Sequence, residues 1–143
     1  ILDRIRAATK AEIARAEGKP ADSIRILTER PLDGSELCLT HVSLMNAYAT
    51  QGNAKAAREE ARWLASHRGR AYTEFNADWV ARPYNVAQSN LALLRGAELS
   101  LDLGDSAGAA AELKSFQRAW PSMRDMDFLT QRVAHLETRL QKK

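Results

Sequence analysis

At 143 residues with 45% hydrophobic content, the chain is long enough for one domain that buries about two-thirds of its unfolded surface without staples. Its 21 Lys and Arg residues stand against 18 Asp and Glu, a net charge of +3 that disfavours a dedicated phosphate-binding face. The single cysteine excludes an internal disulfide, and no apolar run approaches the ~20 residues that span a bilayer.

No stretch sustains the apolar-polar alternation of a strand, so the chain reads as all-α. The first helix is expected from about Leu2 to Glu17, with Ile5, Ala8, Ala11, Ile13 and Ala14 forming a mostly small apolar face. Because Ile1 already lies inside this helix and the opening residues make no signal peptide, the chain is expected to be an excised or processed piece. A second helix follows from Pro20 to about Glu29, with proline suited to a first turn. Pro31 breaks it. Asp33 and Glu36 offer a capping box for a third helix that ends at Gly52, and Asn53 can cap a fourth, which carries Ala56, Ala57, Ala61 and Leu64.

Between Ser66 and Asn85 lie Tyr72, Phe75, Trp79 and Tyr84, four of the nine aromatics. The i, i+3, i+7 spacing of the first three predicts a short extra helix closed by Pro83. A long helix is expected from about Asn85 to Leu103, then one capped by Asp105 or Ser106 that reaches Trp120. Asp125 is expected to cap the last helix, whose Leu129, Val133, Leu136 and Leu140 form one narrow stripe.

Gly18 and Gly52 lie 34 residues apart, and each closes one helix and opens another. Around Gly52 the chain runs Leu44-Met45-x-x-Tyr48-x-x-x-Gly52-x-x-x-x-Ala57, which resembles the tetratricopeptide repeat. Around Gly18 the same frame holds Ala11, Ala14 and Ser23-Ile24. Around Gly104 it holds Ala97, Ala109, Leu113, Phe116 and Pro121. Two helices cross closely only over small side chains, and a tight reversal needs a residue that tolerates positive φ. Gly52 to Gly104 spans 52 residues, 18 more than one period, so extra chain is inserted there.

The resemblance implies an all-α fold of about seven helices: antiparallel pairs stacked as a short right-handed superhelix in one domain. Its units would cover about 5–34, 38–66 and 90–121, with an insertion at 67–84 and a capping helix at 125–143. It also implies a concave groove lined by the first helix of each pair, where a peptide or a partner protein lies. The lining positions are Ile5, Ala8, Glu12 and Arg15; Leu39, Val42, Asn46 and Ala49; and Leu91, Leu94, Glu98, Leu101 and Asp102. Of these, Glu12, Arg15, Val42, Asn46, Leu94, Glu98 and Asp102 are the groove candidates, and Tyr72, Phe75, Trp79 and Tyr84 are candidates for an aromatic contact patch. Some family members hold chaperone C-terminal carboxylates through five polar side chains. Only Arg95 matches that pattern here, because Ala8, Glu12, Ser43 and Leu91 occupy the other places.

Chemistry finds little footing in the sequence. His41, His67 and His135 have no ligand spacing, and phosphate-loop and nucleophile-elbow motifs are absent. Gly104-Asp105-Ser106-Ala107-Gly108 reads as an interhelical turn, and no catalytic residue, metal or cofactor is expected. The expected role is a cytoplasmic protein-protein interaction module, without membrane insertion, that takes another protein, a peptide or a second copy. The alanine- and arginine-rich composition reads as bacterial. The alternative is a sensor or oligomerisation domain at the C-terminal end of a larger signalling or transcription-regulatory protein. Nucleic-acid binding through the Arg58, Arg62, Arg68 and Arg70 run is a remote third reading.

Overall fold

Three glycines reverse the chain in the same way. Gly18, Gly52 and Gly104 have φ of 78°, 83° and 82°. At each, the glycine N–H donates to the carbonyl three residues back and the next N–H to the carbonyl five residues before it. These bonds are Gly18 to Arg15 and Lys19 to Ala14, Gly52 to Ala49 and Asn53 to Tyr48, and Gly104 to Leu101 and Asp105 to Ser100, all 2.8–3.1 Å. This is the Schellman closure, which satisfies the last carbonyls of a helix and requires a left-handed residue after it.

The computed structural model describes residues 2–74, 81–121 and 126–142. Among the described residues there are eight helices and no strand: α1 Leu2–Ala16, α2 Pro20–Thr28, α3 Cys38–Thr50, α4 Ala54–Ser66, α5 Arg68–Thr73, α6 Ala81–Asp102, α7 Ser106–Ala119 and α8 Asp127–Gln141. The short α5 falls within the inserted stretch, where a short extra helix is expected. Asn53 and Asp105 cap α4 and α7 as their sequence positions predict, accepting from the Ala56 and Gly108 backbone N–H groups at 3.1 and 2.8 Å.

Consecutive helices pack on one another: α1 on α2, α2 on α3, α3 on α4, α4 on α6 and α6 on α7. The chain's alternate helices also touch, with α1 against α3, α3 against α6 and α6 against α8, while α5 lies on α6. Small residues make this approach possible. Ala11, Ser23, Ala57, Ala97 and Ala109 are all fully buried. Three apolar clusters fill the interior. The first joins Ala8, Ala11, Leu27 and Leu44. The second joins Cys38, Val42, Met45, Ala61, Leu64, Ala71 and Ala92. The third, around Phe116, gathers α6, α7 and α8 through Leu94, Leu101, Leu113, Leu129 and Leu136.

Three local expectations are corrected. Asp33 and Glu36 do not cap α3. Asp33 accepts from Ser35 N–H and Oγ–H, Glu36 accepts from Gly34 N–H, and both carboxylates are committed to the turn at Gly34, which has φ of 85°. The α3 cap comes instead from Glu74, whose Oε1 accepts from Cys38 N–H at 2.7 Å while Oε2 accepts from Asn85 Nδ2 at 3.0 Å. Second, Pro83 does not terminate a helix but sits in the first turn of α6, where its missing N–H costs nothing, so α6 begins four residues before Asn85. Third, the inserted helix is the six-residue α5, which holds Tyr72; Phe75, Trp79 and the expected cap Asp125 lie outside the described residues. The N-cap of α8 is Met126, which makes no side-chain cap.

Candidate functional site: an arginine-lined groove

Arg15 lies three residues before Gly18 in the same register as Ala49 before Gly52, so the repeated turn brings both to one surface. There α1, α3, α6 and α8 enclose a groove of about 420 Å³ bordered by Arg15, Met45, Asn46, Ala49, Thr50, Gln88, Leu91, Arg95 and Arg132. Cationic and amide side chains dominate its rim.

Each guanidinium is held by a neighbouring acid. Arg15 donates from Nε and Nη2 to Glu12 Oε2 at 2.9 and 2.7 Å. Arg132 grips Glu98 with two parallel bonds, Nε to Oε1 at 2.8 Å and Nη2 to Oε2 at 2.9 Å, and Arg95 Nη1 adds a third to Oε2 at 3.1 Å. A planar fork held this way loses little further freedom when its remaining N–H groups take an acceptor. Three guanidinium groups set against two carboxylates leave the groove net positive.

Several of the expected groove residues meet here, and others do not. Arg15 and Asn46 line the groove, and Glu12 and Glu98 orient its cations. Val42 and Leu94 are corrected to core: at 2% and 0% exposed they are sealed in the second and third apolar clusters and cannot touch a partner. Asp102 pairs with Arg139 Nη2 at 2.7 Å and ties α6 to α8 instead of bordering the groove. Gln88 and Arg132 were missed. Gln88 lies inside the expected helix but precedes the third repeat unit, so the repeat frame assigns it no lining place, and Arg132 belongs to the terminal helix, which a repeat frame treats as a lid.

The aromatic candidates part company. Tyr72 is 55% exposed and borders a separate depression of about 200 Å³ with Arg68, Val86, Ser89 and Asn90. Tyr84 is 43% exposed. Burial first, then the Glu12 carboxylate, raises its hydroxyl pKa, and Tyr84 does not border the groove.

On α4, Trp63 is stacked with His41 and His67 at centroid distances of 3.4 and 4.2 Å, with the Arg70 guanidinium 5.7 Å from its ring. Arg70 donates to the carbonyls of Gly34 and Glu36, so α5 straps the linker between α2 and α3. Burial first, then the Glu74 carboxylate, pushes the Cys38 thiol up to about 12, which makes it a packed residue and a poor nucleophile. Among the described residues no group of His, Cys, Asp and Glu is arranged to hold a metal ion, and no described helix is long and apolar enough to cross a membrane.

No family model, curated protein or solved structure matches the chain.

Proposed function

We infer that the chain is a non-catalytic protein-binding module of tetratricopeptide-like architecture that takes an acidic segment of a partner protein along the groove between α1, α3, α6 and α8. The architecture is supported by the three matching glycine closures, by the packing of α1 through α4 each on the next and of α4 on α6 and α6 on α7, and by the contacts of α1 with α3 and of α3 with α6. The observation that carries the function is the convergence of Arg15, Arg95 and Arg132, from three separate helices, on one opening. Guanidinium forks recognise carboxylates by paired donation, and Asn46 and Gln88 can meet the amides of an extended backbone.

Attraction of this kind is screened by salt. Fluorescence anisotropy with a labelled glutamate-rich peptide is expected to show saturable binding that weakens as ionic strength rises, and little binding of a lysine-rich peptide of equal length. Replacing Arg15 and Arg95 together by glutamine is expected to weaken the acidic peptide by about tenfold or more, since a charged hydrogen bond contributes ~1.5–3 kcal/mol. Equal binding by the double variant, with helical circular dichroism unchanged, removes the groove as the contact site.

A further inference from the structure

The groove does not end at its cations. Arg15 is also one wall of a neighbouring depression of about 460 Å³ at the α1–α3 seam, and Arg132 is one wall of another, of about 390 Å³, at the α6–α8 seam. Three depressions therefore run together over one surface, with an arginine at each junction.

The outer two differ in kind from the middle one. In the α1–α3 depression Arg15 is paired with Glu12, and Thr9 Oγ–H donates to the Ile5 carbonyl at 3.0 Å. The polar groups there are satisfied, and Ile13, Ala16 and Leu39 supply its apolar surface. Ile13 is 55% exposed, although it belongs to the small apolar face expected of α1. In the α6–α8 depression Arg132 is held by Glu98 and Arg139 by Asp102, and Phe128, 59% exposed, is the largest apolar side chain. Phe128 and Arg132 are one helical turn apart on α8, so the helix itself sets the aromatic ring beside the groove's cation. Large apolar side chains held in water beside a polar recognition site gain free energy when a partner covers them.

We propose that the partner segment is an extended acidic run flanked by two large apolar residues, one seated on Ile13 and Leu39 and the other on Phe128, with the acids between them on Arg15, Arg95 and Arg132. This rests on the acidic-segment reading and adds its two ends. The spacing follows from helix packing. Since α1 packs on α3, α3 on α6 and α6 on α8, the two seams lie two interaxial steps apart, each ~8–10 Å, or roughly 16–20 Å in all. An extended chain rises ~3.3 Å per residue and returns to the same face every second residue, so the apolar residues stand about six positions apart with about five acids between them.

The test is fluorescence anisotropy of the whole chain with three labelled peptides: a run of glutamates flanked by serines, the same run flanked by leucines, and an isomer with both leucines at one end. The leucine-flanked peptide is expected to bind about twentyfold more tightly than the serine-flanked one, about fivefold for each partly buried leucine, and the isomer to keep at most one of the two steps. Ile13→Ser and Phe128→Ser, at exposed positions outside the three apolar clusters, are each expected to remove about one fivefold step from the leucine-flanked peptide, with the two losses adding in the double variant. Leu103→Ser, at an exposed apolar position away from all three depressions, is expected to change nothing. Leucines that change affinity by less than about twofold, an isomer that binds as tightly as the symmetric peptide, or serine variants that bind it like the wild type overturn the proposal, while saturable binding of the serine-flanked peptide keeps the acidic groove. If no peptide saturates, the groove reading fails and this one with it.

Discussion

Replacing each glycine by alanine, one at a time, asks whether the repeat resides in the backbone, because the structure assigns the substitutions different signs. At Gly18, Gly52 and Gly104 an added Cβ meets nothing within 4 Å, so the only penalty is a left-handed backbone. That conformation costs an L-residue about 1–2 kcal/mol, and alanine returns about 0.4–1 kcal/mol by restricting the unfolded chain. The net is a destabilisation of about 1 kcal/mol, nearly the same at all three sites, or a Tm lowered by roughly 2–4 °C for a chain of this size. Gly69 lies in α5 with ordinary helical φ and equally open space, so Gly69→Ala is expected to stabilise by about 0.5 kcal/mol. Gly108 is different again: its Cβ would lie 2.4 Å from Asp105 Oδ2, the oxygen that binds Arg58, so alanine there displaces the cap of α7. Urea melts followed by circular dichroism give the values, with shifts in midpoint at constant slope as the signature of changed stability. If Gly18, Gly52 and Gly104 variants scatter by several kcal/mol, or Gly69→Ala is as damaging as they are, the equivalence of the three closures is wrong.

Three further outcomes follow from individual contacts. Asp105→Ala removes the α7 cap and the partner that Arg58 and Arg62 share across from α4, so a loss of about 1–2 kcal/mol is expected in the same melts, against less than half that for the exposed pair partner in Asp22→Ala. Cys38 should resist thiol-specific dinitrobenzoate reagents in the native state and react at a rate set by opening of the α3–α5 junction, so Glu74→Gln, which weakens the cap on Cys38 N–H, accelerates labelling. The Asp33 carboxyl is held down at about 2 by the Ser35 hydroxyl and then the Ser35 N–H. Since its folded pKa is depressed, its contribution is complete above the unfolded value of 3.8 and is lost as pH falls through about 2; carbon-detected NMR titration should show Ser35→Ala moving the midpoint upward.

The helix plan was legible because it rests on local signals. Gly18, Gly52 and Gly104 close helices at a φ that glycine adopts without penalty, and Asn53 and Asp105 cap the helices that follow from within three residues. The α3 cap was not legible, since its acceptor, Glu74, stands 36 residues away and only folding brings it to Cys38. Pro83 misled for a related reason, as proline breaks a helix or begins one and its neighbours in sequence do not decide which. In the groove, periodicity identified the facing helices but not how deep each position lies. Val42 shares a helix face with Asn46 and Leu94 with Leu91, yet neighbouring helices close over Val42 and Leu94. Arg132 could have been suspected from its place opposite the apolar stripe of the last helix, but its grip on Glu98 is a tertiary fact.

The most direct test of the groove is an amide and arginine side-chain NMR map of the protein with a saturating glutamate-rich peptide. The account predicts shifts concentrated at Arg15, Asn46, Gln88, Arg95 and Arg132, with the Nε–H signals of the arginines moving most. Shifts confined to Tyr72 and the α5 surface, or spread without focus over the exposed arginines, would contradict it.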